Sequence, residues 1–227
     1  MIRAVIFDID NTFYPYDPCD RAGIENMYLS FTKIADCTRD GFNALLAEAK
    51  RDIKSITAGT AACHNRLLYA QRICELSGCY SSANVLDLYD SYWNAFLENI
   101  ELYDNVCEVL ESLRLSGIKI GFCTDLTANI QMRKIVRLGI DEYPDAVVTS
   151  EECGAEKPSE VPFRMILKKL GVCDPSEAVM VGDDPLKVYQ GAINAGMKAI
   201  LFGNGSDDSV RVSDFYELEK ALKGMIG

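Results

Sequence analysis

Histidine and tryptophan are almost missing from this chain, at one of each in 227 residues. A lone histidine, His64, leaves no Ser-His-Asp set to consider. Basic side chains are also short: 23 Lys and Arg stand against 34 Asp and Glu, a net charge of −11. That argues against nucleic acid as a partner, because such binding needs cations to meet phosphates. No apolar run approaches the roughly 20 residues of a membrane span. The opening "MIRAVIFDID" starts a strand with no signal-peptide cleavage pattern, so the expected location is cytoplasmic. There is no G-x-G-x-x-G loop, no internal repeat and no low-complexity segment. "FGNGS" (202–206) reads as a turn after a strand, not a phosphate cradle. The nine cysteines are scattered and odd in number, without zinc-ligand spacing, and are expected to be reduced and packed as small hydrophobes.

What is present is a rhythm. Hydrophobic residues make up 48% of the chain, enough for a substantial core. "IRAVIF" (2–7) is apolar without alternation, as in strands buried on both faces. Segments 118–123, 146–149, 178–181 and 198–202 look alike. Helical patterns separate them at 105–117, 161–171 and 185–196, each closing on glycine. Such alternation predicts an α/β fold with a Rossmann-like, doubly wound parallel sheet. Residues 16–100 break the rhythm and read as helices near 21–36, 40–56, 60–77 and 82–99. A block of that length is no simple crossover. The expected organisation is therefore a core of residues 1–15 and 101–227, with an inserted all-helical subdomain of residues 16–100.

The first strand ends in "FDIDNT", two aspartates separated by Ile9. Alternation lets Asp8 and Asp10 point the same way, at the carboxyl end of a strand, where open parallel sheets bind ligands. Two carboxylates there call for a cation, and oxygen donors suit magnesium. An ionised carboxylate attacks phosphorus without activation by a base. If burial and like charge push the two pKa values apart, the other group holds a proton. Asp8 then reads as nucleophile and Asp10 as acid/base. A solvated turn is the plain alternative for the tripeptide alone. A calcium loop fails, because its sixth position would be Phe13 and its twelfth Cys19.

Three further motifs follow later strands. Thr124 in "GFCTDL" offers a hydroxyl and a following N–H to phosphate, or else caps a helix. Lys157 in "GAEKPSEV" offers charge at the start of a helix, or is an exposed loop lysine. Asp183 and Asp184 in "VMVGDDPL" extend the oxygen-ligand set, with Gly182 allowing close approach. For Asp184 an Asx turn capping the next helix is a second reading.

As an ordered set, "DIDNT", Thr124, "KP" and "GDD" resemble the haloacid dehalogenase superfamily of hydrolases over residues 1–15 and 101–227. The resemblance implies a helical cap over the active site and an aspartyl-phosphate on Asp8. It implies acid/base work by Asp10 and phosphate binding by Thr124 and Lys157. It also implies magnesium held by Asp8, the Asp10 carbonyl and Asp183. Two positions depart from the pattern. Val188 stands where many relatives carry an acid, so Asp184 is given a supporting metal role. Asp125, counted with Thr124 and Lys157 at the phosphate, replaces a common asparagine beside the phosphate-binding hydroxyl, where a carboxylate must point away or meet a cation.

The presence of Asp10 favours phosphoester hydrolysis over dehalogenation, since halide needs no proton. A phosphomutase or 2-haloacid dehalogenase on the same core and a non-catalytic binding relative are the rival readings. The expected activity is magnesium-dependent hydrolysis of a small phosphorylated metabolite, a nucleotide or sugar phosphate, by a monomer or homodimer. In the insert, His64 and Arg66 are candidate substrate ligands. The Tyr89, Tyr92, Trp93, Phe96 cluster reads as helical core.

Overall fold

The computed structural model describes residues 1–203 and 210–226. Positions 204–206 of "FGNGS" therefore lie outside the described residues. The chain divides into two compact units, one of Met1–Pro15 with Glu101–Gly227 and the other of Tyr16–Ile100.

The first unit is built on strands β1 (Ala4–Phe7), β2 (Lys119–Thr124), β3 (Ala146–Thr149), β4 (Ala178–Gly182), β5 (Lys198–Phe202) and β6 (Arg211–Val212). They form one sheet in the order β3-β2-β1-β4-β5-β6, with every pair parallel. The order reverses direction at β1, which pairs with β2 on one side and β4 on the other. That is the switch point at which open sheets leave a crevice beyond the strand ends. Both faces of β1 are fully buried, which explains its unbroken apolar run.

Alternate residues of the strands feed two cores. Ala4, Ile6, Cys123, Val148 and Met180 pack with Phe163, Ile166, Leu167 and Leu170 of a helix, Glu160–Leu170. On the other face an aromatic file runs through Phe7, Phe13, Phe122, Phe215 and Phe202, with ring centroids 5.1–6.0 Å apart. Offset and edge-on packing at such spacings adds to simple area burial.

The helices are, in chain order, α1 (Tyr16–Phe31), α2 (Arg39–Thr57), α3 (Arg66–Leu76), α4 (Ser82–Glu98), α5 (Val106–Leu115), α6 (Ala128–Arg137), α7 (Ser150–Cys153), α8 (Glu160–Leu170), α9 (Gly191–Asn194) and α10 (Phe215–Ile226). Several differ from expectation. Helix α1 starts five residues earlier than the pattern suggests, because Pro18 falls in its first turn, where the missing N–H costs no hydrogen bond. The helix expected at 60–77 is broken. A short 3-10 turn, Ala61–His64, precedes Asn65, whose side chain accepts from Leu67 N at 2.9 Å and starts α3. The helix expected at 185–196 is a π-type segment, Pro185–Gln190, followed by α9. Helices α6 and α10 and strand β6 lie outside the sequence-based expectation.

The Tyr16–Ile100 unit holds α1 to α4 around Phe31, Phe42, Ile73, Tyr92, Trp93 and Phe96, all buried. Leu86, expected on the apolar face of α4, is exposed. Helices α1 and α4 approach at Gly23, where a Cβ would lie 2.7 Å from the Tyr92 ring. Arg66 is a correction. It is only 8% exposed and its guanidinium is held inside this unit. It donates to the Tyr16 hydroxyl, to Asp20 Oδ1 at 3.2 Å and to the His64 carbonyl at 2.7 Å. It also lies over the rings of Tyr92, Tyr69 and Trp93. Asp20 accepts in addition from the Tyr92 hydroxyl. The cavity beside Arg66 measures about 10 Å³, room for one water and not for a phosphate. Arg66 is thus an internal strut, because the aromatic residues around it exclude the substrate it was expected to grip.

Replacing Arg66 by Met should leave the half-buried Asp20 charge without its guanidinium partner and lower stability by about 3 kcal/mol, measured by urea unfolding. The double variant Asp20→Asn/Arg66→Met should recover much of that loss.

Candidate active site

The site is assembled at the carboxyl ends of β1, β2 and β4. Pairing of β1 with β4 runs one residue past the strand, as Asp8 N donates to the Val181 carbonyl at 2.9 Å. Asp8 Oδ1 accepts from Ile9 N at 2.8 Å. The chain then turns: Thr12 N and Phe13 N both donate to the Ile9 carbonyl, and Asn11 takes a left-handed φ of 56°. The turn returns Phe13 and Tyr14 to the core, both fully buried. Ile9 is likewise fully buried, as alternation requires.

Beyond β2, Thr124 is buried and its Oγ1 accepts from Gln131 Nε2 at 3.0 Å. Its own proton has only the Asp125 carbonyl, at a marginal 3.4 Å, which leaves the hydroxyl able to donate elsewhere. Thr124 is not the helix cap, since α6 begins after Thr127. Leu126 adopts φ 94°, a strained state for a branched side chain. Ser150 holds it there, its Oγ accepting from Leu126 N at 2.9 Å.

Asp125 departs from the phosphate-binding role expected of it. Its Oδ1 accepts from the main-chain N–H of Lys157 at 3.1 Å, and its Oδ2 lies 3.6 Å from Lys187 Nζ. A carboxylate so engaged ties two loops together, and as an anion it repels phosphate. Lys157 is buried, against the reading of an exposed loop lysine. Its Nζ lies 2.9 Å from Asp8 Oδ1 and donates to the Cys123 carbonyl at 2.8 Å.

Asp183, after β4, receives a hydrogen bond from the Asn11 side chain. Asp184 is a correction: its Oδ1 accepts from Leu186 N and Lys187 N at 2.9 and 2.8 Å and caps the Pro185–Gln190 segment. The first N–H groups of that segment have no acceptor within it, and the adjacent carboxylate supplies one. Val188 is fully buried and packs beneath Gly182, where a Cβ would meet it at 2.7 Å and Asp8 Cβ at 3.0 Å. His64 lies in the helical unit, half-buried, and gives its carbonyl to Arg66.

Several participants lie outside the motifs. Lys134 of α6 is wholly enclosed, and its Nζ donates to both oxygens of Asp10, at 2.7 and 2.9 Å. The Tyr14 hydroxyl donates to Asp10 Oδ1. Gln131 Nε2 reaches the Asp125 carbonyl at 2.7 Å as well as Thr124. Lys187 stands 3.6 Å from both Asp125 and the buried Glu156. A sequence signal existed for α6. Ile130, Gln131, Lys134, Ile135 and Leu138 occupy one helical stripe, so two polar residues sit where apolar ones belong.

Six carboxylates (Asp8, Asp10, Asp125, Glu156, Asp183 and Asp184) stand here with three ammonium groups, Lys134, Lys157 and Lys187. Burial pushes the Asp8 carboxyl up, Lys157 only partly offsets it, and Asp125 and Asp10 add to the rise. Burial also lifts Asp10, but Lys134, Tyr14 and Gln131 outweigh it and hold this carboxyl below its ordinary value. The direction at Asp10 runs against the expectation that this carboxyl holds a proton, because the buried Lys134 ammonium faces it. Burial and then the charge of Asp8 push Asp183 up to about 6. Burial lowers the Lys157 ammonium, yet Asp8 and Asp125 outweigh it and keep it above its ordinary value.

A parallel sheet in this order, with acids and a buried lysine converging beyond its strand ends, is a Rossmann-like α/β fold with its polar crevice at the switch point. The profile of the haloacid dehalogenase-like hydrolases matches residues 5–202, and the chain belongs to that family. It is 42% identical over 204 residues to a ribulose-1,5-bisphosphate 5-phosphatase of Halopiger xanaduensis, covering 89% of this chain and 85% of that one. It is 32% identical over 210 residues to a glyceraldehyde 3-phosphate phosphatase of Methanopyrus kandleri, covering 90% and 85%. Among solved structures, a phosphatase of the same superfamily from Thermococcus onnurineus superimposes with a TM-score of 0.78 at 25% identity, covering 98% of this chain and 99% of that one.

Alanine at Gly182 should displace the Asp8 side chain, since the new methyl would stand 3.0 Å from Asp8 Cβ. A shift near 1 Å at the reacting group should lower kcat about 100-fold, measured on protein verified as folded by circular dichroism.

Proposed function

We propose that the chain is a magnesium-dependent phosphomonoesterase acting on a small phosphorylated metabolite through an aspartyl-phosphate on Asp8. The observation that carries this is the buried Asp8 carboxylate at the switch point, 2.9 Å from Lys157 Nζ and bordered by a second acidic strand end at Asp183. An Asp8 oxygen attacks phosphorus, the bond to the leaving oxygen breaks, and that oxygen takes a proton. Water then attacks the acyl phosphate, phosphate departs, and Asp8 is regenerated. Asp10 is the group that moves these protons, and its anionic form in this structure suits it to accept one from water. Lys157, Thr124 and the N–H groups after β2 hold the phosphoryl oxygens.

The donor set fits magnesium. Asp8 and Asp183 are hard oxygen donors, and both are destabilised as anions by burial, Asp8 further by Asp125 and Asp10 and Asp183 further by Asp8. Together with the Asp10 carbonyl they would hold the ion, which supplies positive charge to the phosphoryl oxygens. Asp184 contributes by fixing the segment after Asp183, not by ligation. Among substrates, the activities of the two relatives above favour a sugar phosphate over a nucleotide. The helical unit, Tyr16–Ile100, is taken as the source of substrate selection.

Release of inorganic phosphate from a panel of sugar and nucleotide phosphates tests this. Turnover of a sugar phosphate should need magnesium, vanish with chelator, and fall about 1,000-fold or more in Asp8→Asn. Turnover that survives both chelation and Asp8→Asn would end the reading. A second check needs no turnover. Asp183 has a native pKa of about 6 against an ordinary 3.8, so the native state binds the extra proton and metal-free stability should fall as pH rises from 4 to 6. Magnesium should therefore raise Tm at pH 7 and have little effect near pH 4.

A further inference from the structure

Asp10 is a carboxylate with one acceptor direction left. An ionised carboxylate offers about four lone-pair directions, two on each oxygen. Lys134 Nζ takes one on Oδ1 at 2.7 Å and one on Oδ2 at 2.9 Å. The Tyr14 hydroxyl takes the second on Oδ1. The remaining direction on Oδ2 meets only Gln131 Nε2 at 3.4 Å. That amide has shorter acceptors, the Asp125 carbonyl at 2.7 Å and Thr124 Oγ1 at 3.0 Å. Oδ1 is therefore saturated and Oδ2 is open. Lys134 itself is fully enclosed, so any effect it has on substrate passes through Asp10.

We propose that Lys134 is a positioning residue for the hydrolytic half of the reaction, clamping Asp10 so that Oδ2 receives the proton of the attacking water. This rests on the reading of Asp8 as nucleophile and Asp10 as the proton-moving group. In that half, the water oxygen bonds to phosphorus. The bond from phosphorus to the Asp8 oxygen breaks and returns its electron pair to the carboxylate. One water proton passes to Asp10 Oδ2. Two contacts from one ammonium fix the plane of the carboxylate as well as its position. Without them Asp10 keeps only the Tyr14 hydroxyl on Oδ1 and the long 3.4 Å contact from Gln131 on Oδ2, which together fix its plane poorly.

The test is rapid mixing with p-nitrophenyl phosphate and magnesium, with acid quenching to count protein-bound phosphate. Nitrophenolate leaves without a proton, so formation of the aspartyl-phosphate is insensitive to Asp10. Lys134→Met keeps the bulk of the stem and removes the clamp. It should give a burst of nitrophenolate near one equivalent per site, then turnover about 100-fold slower than wild type, with phosphate trapped on the protein. Equal loss of burst and turnover would mean a general structural role and would overturn the proposal. The double variant Asp10→Asn/Lys134→Met has no unpaired buried charge, so it remains informative if the single variant does not fold. It should dephosphorylate within about twofold of Asp10→Asn, because Lys134 acts only through Asp10. A further loss of about tenfold would overturn the proposal by the same logic. Asp10→Asn should itself trap phosphate, and Asp8→Asn should bind none. If either does otherwise, the underlying mechanism falls and the clamp falls with it, whereas failure confined to the Lys134 variants sinks the clamp alone.

Discussion

The buried ion pair between Asp8 and Lys157 is the constraint around which this core is arranged. Taking a carboxylate and an ammonium out of water costs several kcal/mol each, and the cost is offset only by close pairing and further hydrogen bonds. Every nearby element supplies one of these. The end of β2 gives a carbonyl to Lys157, the loop after it gives Asp125 to the Lys157 N–H, and β1 lends Ile9 N to Asp8. Glycine at 182 is required because the two strands that carry Asp8 and Asp183 approach within the space of one methyl group. A second buried pair, Lys134 with Asp10, repeats the same solution a few ångströms away. What remains is an excess of negative charge that the chain's own lysines do not cancel.

Much of this was legible in the sequence, for identifiable reasons. Unbroken apolar strands signal a sheet covered on both faces, and glycines mark where the intervening helices stop. Asp8, Lys157 and Asp183 were legible because each follows such a strand or heralds a helix. Asp184 and Asp125 were misjudged for a common reason: spacing places a carboxylate at a site but does not say which N–H group or cation it will face. Arg66 illustrates the limit from the other side. A charged residue beside a histidine reads as exposed, and only the assembled helices reveal the aromatic shelter and the Asp20 counter-charge that bury it. Lys134 and Gln131 were passed over because polar residues in an apolar stripe weaken the periodicity by which helices are found.

The two departures from the family pattern are linked in space. Val188, standing where an acid is common, packs against Gly182 and could not reach ligand in any case. Asp125, standing where an amide is common, is matched by Lys187 one position earlier in the chain than Val188. In this chain a negative charge stands at Asp125, after β2, with the Lys187 ammonium beside it, and an apolar side chain stands at 188. The sum of charges is similar, while the pattern a phosphate meets is different.

The pairing of β1 carries a consequence for how the molecule comes into being. Ala4 lies beside Lys119 on one flank and Ala178 on the other. A chain emerging from the ribosome therefore holds β1 without either neighbour until residue 119 is made, and without the second until residue 178 is made. Loop-closure entropy makes such distant pairings late events. The helical unit between them has contacts of its own and no such dependence. The pairing that brings Asp8 beside Asp183 is accordingly a late event, and a product arrested before β4 carries Asp8 without the strand that leads into Asp183.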